Sequence, residues 1–207
     1  MNKERLKNGL EKMGIAADET ALDRFEAFHA ILDEYNARMD LTAVLDEDER
    51  VDRHDLDSAA PLAHGLLAQG AKVIDVGTGS GILAIGAAML GAKDVLAIDI
   101  DPVAVRVAKE NIEHNHLSNR VRAVEGNLLA SSDGVCDLCV ANIIADVICM
   151  FAQPLVDHIV PGGLFICSGI IKEREQDVVN ALTAADYTIL ETKRKGEWVA
   201  MLSRRKK

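Results

Sequence analysis

The spacing of apolar positions along the chain changes near residue 70. Before that point apolar residues recur at three- and four-residue steps. Leu22, Phe25, Phe28 or His29, Leu32, Tyr35 and Met39 mark one face of a helix from about Glu19 to Met39, with Asp18 placed to cap it. A shorter helix precedes it, Leu41-Thr42-Ala43-Val44 breaks the pattern, and two further helices are expected at Asp46 to His54 and Ser58 to Ala68. From Lys72 onward short apolar runs alternate with helical patterns, the order expected of a parallel sheet with crossover helices. The runs predict strands at Lys72 to Val76, Asp94 to Asp99, Val121 to Glu125, Val135 to Ala141 and Gly163 to Ser168. Helices are expected from about Gly81 to Leu90, Pro102 to His114, Ile144 to Ile159 and Lys172 to Ala184. Pro102 suits a first helical turn, and Pro161-Gly162-Gly163 reads as a stop before the fifth strand. Tyr187 to Lys193, a turn at Arg194-Lys195-Gly196 and Glu197 to Ser203 predict a closing antiparallel hairpin. The expected organisation is a helical extension over residues 1–70 and an α/β core over residues 71–207.

Composition narrows the function classes. A chain of 207 residues can build one domain with a full core. A formal charge of −10 argues against a nonspecific nucleic-acid binder, while leaving room for a local basic patch. No apolar segment follows Met1-Asn2-Lys3-Glu4-Arg5, and no apolar run nears the roughly 20 residues of a membrane span, so a cytoplasmic protein without a membrane partner is expected. The four cysteines, Cys136, Cys139, Cys149 and Cys167, fall in apolar segments and are expected as buried thiols. Cys136 and Cys139 form C-x-x-C, but a strand would point them to opposite faces, and no second pair follows at zinc spacing. No metal site is expected.

Candidate chemistry concentrates in Val73-Ile74-Asp75-Val76-Gly77-Thr78-Gly79-Ser80-Gly81-Ile82-Leu83. A strand running into three glycines can turn sharply and admit a ligand close to the backbone, and the helix opening near Ser80 offers free N–H groups. Asp99, roughly 20 residues on, stands where a ribose hydroxyl needs an acceptor. A dinucleotide fingerprint would require glycine at position 82, where this chain has Ile82, so the spacing counts against NAD. A glycine-rich turn that binds nothing is the plainer alternative.

The pattern resembles motif I of the class I S-adenosylmethionine (SAM) methyltransferases, and five parallel strands plus a hairpin resemble their seven-stranded, Rossmann-like sheet. The resemblance implies that Gly77, Thr78, Gly79 and Gly81 cradle the methionine end, with Asp75 orienting the loop or meeting the amino group. It also implies ribose hydroxyls on Asp99, adenine packed on Ile100, and the adenine edge held at Asn127 beside Leu128. Asparagine replaces the commoner aspartate at 127 and keeps a carbonyl acceptor.

The two parts of the chain resemble different families. Tyr35-Asn36-Ala37-Arg38-Met39-Asp40-Leu41-Thr42 and Arg53-His54-x-Leu56-Asp57-Ser58 resemble the bacterial small-subunit rRNA guanine-N7 methyltransferases, the glucose-inhibited division protein B family. Gly79-Ser80-Gly81-Ile82-Leu83-Ala84-Ile85, Asp99-Ile100-Asp101-Pro102-Val103-Ala104-Val105, Ala141-Asn142-Ile143-Ile144-Ala145, Ser168-Gly169-Ile170-Ile171 and Gly196-Glu197-Trp198-Val199-Ala200 resemble the ribosomal-protein lysine methyltransferases that modify a large-subunit stalk protein. The resemblances imply a chimera joined between Lys72 and Ile82, with both substrate surfaces incomplete. Position 55 is usually apolar in the first family's motif, so Asp55 must be solvated, paired or neutralised.

Methyl transfer from a sulfonium asks the protein mainly to align a nucleophile and exclude water. Asn142, at the end of the fourth strand, is the candidate to hold a nitrogen nucleophile, with a cap on the following helix as the alternative. His54 and Asp57 fit a polar helix face or cap as well as a cleft, and His114 and His116 a helix end. Trp198 reads as a packing residue, and Lys193-Arg194-Lys195 and Arg204-Arg205-Lys206-Lys207 as a solvated turn and tail. The expected function is methylation of a nitrogen on a ribosomal component, protein lysine ahead of rRNA guanine. A SAM-binding chimera without turnover is the third expectation.

Overall fold

The structure is a computed structural model that describes the chain except residues 16, 40–43, 57–65, 130, 131 and 133, and except the side chains at 28, 31, 32, 34–39, 53 and 54. It divides into two compact units, Met1–Leu66 and Leu67–Lys207.

The first unit is helical. Helix α1 (Lys3–Lys12) starts at Asn2, whose side chain accepts the N–H of Arg5 at 3.0 Å. Helix α2 (Glu19–Met39) has the expected span, and Asp18 Oδ1 accepts the N–H of Ala21 at 2.8 Å. Both side chains satisfy first-turn donors that the helix itself leaves free. The helix expected over Asp46 to His54 is divided into α3 (Glu47–Arg50), capped by Asp46, and a π-helical segment, Val51–Leu56. Leu6, Leu10, Leu22 and Val51 form the unit's core. The break expected at Leu41 to Ala43, most of the helix expected at Ser58 to Ala68, Asp57 and the side chain of His54 lie outside the described residues.

The second unit runs β1 (Lys72–Val76), α4 (Ile82–Met89), β2 (Asp94–Asp99), α5 (Pro102–His114), β3 (Val121–Glu125), β4 (Cys136–Asn142), α6 (Ala145–Leu155), β5 (Ile159–Ile171), α7 (Glu175–Ala184), β6 (Tyr187–Lys195) and β7 (Trp198–Arg205). Its seven strands form one sheet in the order β3-β2-β1-β4-β5-β7-β6. β1 to β5 are parallel and β6 and β7 form an antiparallel hairpin, as the sequence predicted, with β7 placed between β5 and β6. Strand alternation gives each face its own core. Val73, Val95, Ala97, Val121 and Val140 pack with Ala84, Ala88, Val105 and Ile112 of α4 and α5. Ile74, Val76, Ile98, Ala141 and Phe165 pack with Ile148, Phe151, Val178 and Leu182 of α6 and α7.

Three details differ from the sequence reading. β5 begins at Ile159, because Pro161-Gly162-Gly163 forms an irregularity inside the strand; Cys136 pairs with Ile159 and Leu138 already with Leu164. Cys136 and Cys139, expected on opposite faces of a strand, both belong to one buried core cluster. The hairpin turn is the two residues Gly196 and Glu197, since Lys195 already pairs with Trp198 and Gly196 supplies a left-handed φ of 60°. No helix among the described residues is long and apolar enough to cross a membrane.

Candidate functional site

Strand order reverses at β1. The chain leaves its C-terminal end toward β2 on one side, and β4 lies on the other. In open parallel sheets the crevice at such a point collects the loops from several strand ends. Here it collects the loop after β1, the end of β2, the loop after β3 and the end of β4.

The loop after β1 is held by backbone. The N–H groups of Gly77 and Thr78 both donate to the carbonyl of Ile98 in β2, at 2.9 and 3.0 Å. Gly77 has φ 73°, and a Cβ there would lie 2.4 Å from Cγ2 of Ile143. Both conformation and space therefore require glycine. Gly79 also has positive φ, but nothing lies within 4 Å of a Cβ placed on it. Gly81 caps α4 where that helix meets Ala108 of α5.

Asp75 is fully buried on the α4 face of β1. Its Oδ2 accepts the Thr78 hydroxyl at 2.6 Å and the N–H of Ala84 at 3.1 Å, so one carboxylate oxygen ties strand, loop and first helical turn together. Its Oδ1 has no hydrogen-bond partner among the described residues. Burial raises the carboxyl from 3.8 to about 6, with the two hydrogen bonds opposing the rise and the nearby Asp99 charge adding to it. Thr78 is buried as well.

Asp99 ends β2 half-buried. Its Oδ2 accepts the N–H of Gly79 at 2.8 Å and its Oδ1 the N–H of Asp101 at 3.0 Å, leaving each oxygen a further lone pair. Ile100 beside it is 69% exposed, an apolar surface with no cover among the described residues. The N–H of Gly126 donates to the Asp99 carbonyl at 2.9 Å, which brings the loop after β3 to the same edge. Asn127 in that loop is exposed, and Leu128 is half-buried with φ 55°. A paired acceptor, an open apolar face, an exposed amide and free space above Gly79 suit a ribose, a purine, the purine's edge and an amino-acid tail. The orphaned Oδ1 of Asp75 adds an acceptor beneath the loop. The cradle fits SAM.

Asn142 ends β4 and is exposed. It does not cap α6, whose N-cap is Ile144 without a side-chain hydrogen bond. Its Oδ1 instead accepts the hydroxyl of Ser168 at 3.0 Å, from the residue that faces it in β5. Ser168 and Gly169 entered the sequence reading only as part of a motif. Their contact with Asn142 depends on the β4 to β5 register, which residue spacing does not reveal.

Other candidates lie apart. His114 and His116 sit at the C-terminal end of α5, whereas its N-terminal end follows Asp99. Trp198, expected in packing, is 58% exposed where β7 begins opposite Ile171. The basic clusters meet local acids: Arg194 pairs with Glu175, Lys193 lies 3.7 Å from Glu191 and Lys206 3.5 Å from Asp186. Cys136, Cys139 and Cys167 are buried, and burial pushes the Cys136 and Cys167 thiols up to about 12. Such thiols are poor nucleophiles and ligands. No group of three or more His, Cys, Asp or Glu among the described residues is placed to hold a metal.

The 3-2-1-4-5-7-6 sheet with its antiparallel hairpin, glycine loop after β1 and acid after β2 defines a class I SAM-dependent methyltransferase fold. Within that class, residues 60–206 match the model of the ribosomal protein L11 methyltransferase (PrmA) family, and the chain belongs to it. It is 52% identical over 137 residues to the ribosomal protein L11 methyltransferase of Pelotomaculum thermopropionicum, covering 66% of this chain and 44% of that one. It is 46% identical over 136 residues to the enzyme of Carboxydothermus hydrogenoformans, covering 66% and 45%. The crystal structure of ribosomal protein L11 methylase from Lactobacillus delbrueckii subsp. bulgaricus superposes with a TM-score of 0.68 at 34% identity, over 75% of this chain and 80% of that one. The chain thus spans less than half the length of these curated relatives. The family match starts upstream of the junction expected between Lys72 and Ile82, and residues 1–59 lie outside it.

Proposed function

We propose that the chain binds SAM through residues 71–207 and transfers its methyl group to a lysine amine of ribosomal protein L11 in the cytoplasm. The observation that carries this reading is the placement of Asn142 and Asp99 at the ends of the two strands that flank β1 and its glycine loop. Asp99, Ile100, Asn127 and Leu128 hold the nucleoside, and Gly77, Thr78, Gly79 and Gly81 the methionine tail, with Asp75 organising the loop from below. Bound SAM supplies a methyl group on a sulfonium, already activated for transfer.

Asn142 orients the acceptor. Its Oδ1 accepts an N–H of a neutral lysine amine and leaves the nitrogen lone pair directed at the methyl carbon. In the transfer that bound SAM would supply, the S–C bond would break with its electrons staying on sulfur as the N–C bond formed, and the amine would then lose a proton. The lysine must also be deprotonated before attack. No buried base contacts Asn142 among the described residues, so water is the proton acceptor in this reading.

A second reading concerns the expected helical extension over residues 1–70, whose first 59 residues would be of separate origin. It is supported by residues 1–59 lying outside the family match, by the compactness of the first unit, and by the resemblance of two sequence motifs to the rRNA guanine-N7 enzymes. In that reading a recombined chain methylates small-subunit rRNA, or binds SAM without turnover. Labelled SAM incubated with the protein and separated ribosomal components distinguishes the readings. Label in L11 is expected; label in small-subunit rRNA would replace the first reading, and tight SAM binding without any transfer would leave an inactive chimera.

A further inference from the structure

We infer that Ser168 is a positioning residue for methyl transfer, fixing the amide of Asn142 with its oxygen, rather than its nitrogen, engaged on the β5 side. The inference rests on the proposed role of Asn142 as the group that orients the acceptor amine.

Four observations converge on it. Asn142 and Ser168 are Cα partners in the parallel β4 to β5 ladder, so their side chains leave the sheet on the same side. The Ser168 hydroxyl donates to Asn142 Oδ1 at 3.0 Å. The backbone of the same pair is clamped, with the Ile143 N–H donating to the Ser168 carbonyl at 3.1 Å. Gly169, at φ 77°, leaves room for this arrangement, since a Cβ there would sit 2.9 Å from both Asn142 Oδ1 and the Ile143 carbonyl.

The chemistry explains why the amide's orientation matters. A primary amide has an accepting end and a donating end of nearly equal size, and an exposed asparagine can turn either one outward. An amine about to attack carbon must keep its lone pair free. An amide oxygen accepts an amine N–H and leaves that pair available, whereas an amide NH2 would bond to the pair and quench it. A hydroxyl donating to Oδ1 holds the oxygen at a fixed place, and its second lone pair remains for the acceptor amine. Ser168 therefore acts through Asn142 and need not touch the methyl donor.

The test uses the full chain, L11 and labelled SAM. Ser168→Ala is expected to lower kcat about tenfold, the scale of one positioning hydrogen bond, with SAM affinity and thermal midpoint unchanged. Ser168→Thr, which keeps the hydroxyl in a half-buried strand position, is expected to restore most of kcat. In an Asn142→Ala background, Ser168→Ala is expected to add no further loss, because its only route to the reaction is gone. Full kcat in Ser168→Ala, no recovery in a folded Ser168→Thr, or an additive loss in the double variant would each overturn the inference and leave Asn142's role standing. An Asn142→Ala variant as active as the parent, or no transfer by the parent to L11, would overturn the Asn142 reading and this inference together.

Discussion

The Asp99 carboxylate accepts the backbone N–H of Gly79 at 2.8 Å, so the acid proposed to offer lone pairs to a ribose also holds the loop proposed to cradle the methionine tail. One side chain couples the two ends of the proposed binding site. Replacing Asp99 by Ala removes the acceptor and slackens the loop at once. It is expected to weaken SAM binding about 10- to 100-fold, the scale of a charge-assisted hydrogen bond, as read by calorimetry. Asp99→Asn keeps acceptor capacity and should fall between. Glu113→Ala, an exposed acid on α5, serves as the control; an equal effect there would sink the ribose assignment.

Gly77 and Ile143 make a second coupling, between the loop and the strand end bearing Asn142. A methyl group at position 77 would lie 2.4 Å from Ile143 Cγ2, with the backbone at φ 73°. Gly77→Ala is expected to destabilise the protein by about 1–3 kcal/mol through backbone strain and to displace Ile143 in addition. Combining it with Ile143→Ala should relieve the clash and leave the strain. Thermal unfolding separates the two contributions. Gly79→Ala meets no neighbour and should cost less than Gly77→Ala.

Much of this geometry was legible in the sequence because it is local. Asp18, read as a cap, bonds an N–H three residues on, and Asp46 and Asp101 cap helices in the same local way although the sequence reading did not single them out. Glycine spacing counted against a dinucleotide loop before any fold was known. What escaped depends on register or on distant partners. The Pro161-Gly162-Gly163 irregularity and the Ser168 hydroxyl on Asn142 both follow from how β4 slides against β5. The partner of Asp55 lies 26 residues away, where no periodicity leads to it.

Asp75 should make stability depend on pH in a direction opposite to most carboxylates. Its pKa is raised in the folded protein from 3.8 to about 6, so between these values the folded state binds more protons than the unfolded state. Stability from this group is complete below about pH 4 and is lost as pH rises through 6, by about 3 kcal/mol. Asp75→Asn keeps an oxygen for Thr78 and Ala84 and does not ionise. Urea unfolding of both proteins is expected to show the variant gaining on the parent from pH 4 to 6.5. A constant difference across that range would contradict the shift.

Asp55 and His29 form the buried pair of the helical unit, with Asp55 Oδ2 2.7 Å from His29 Nε2 and both residues 3% exposed. The sequence required that a charge at position 55 be solvated, paired or neutralised, and the structure pairs it. Pairing joins α2 to the π-helical segment within the unit whose apolar core includes Leu6, Leu10, Leu22 and Val51. Asp55→Ala leaves the imidazole buried without this partner and is expected to destabilise the unit by about 3 kcal/mol. Hydrogen exchange of the α2 amides should then accelerate on the order of a hundredfold. Replacing both residues by leucine removes the polar groups together and should recover most of that protection, since an apolar pair needs no partner. If Asp55→Ala leaves α2 exchange unchanged, the pair is not what holds the helix to the segment beside it.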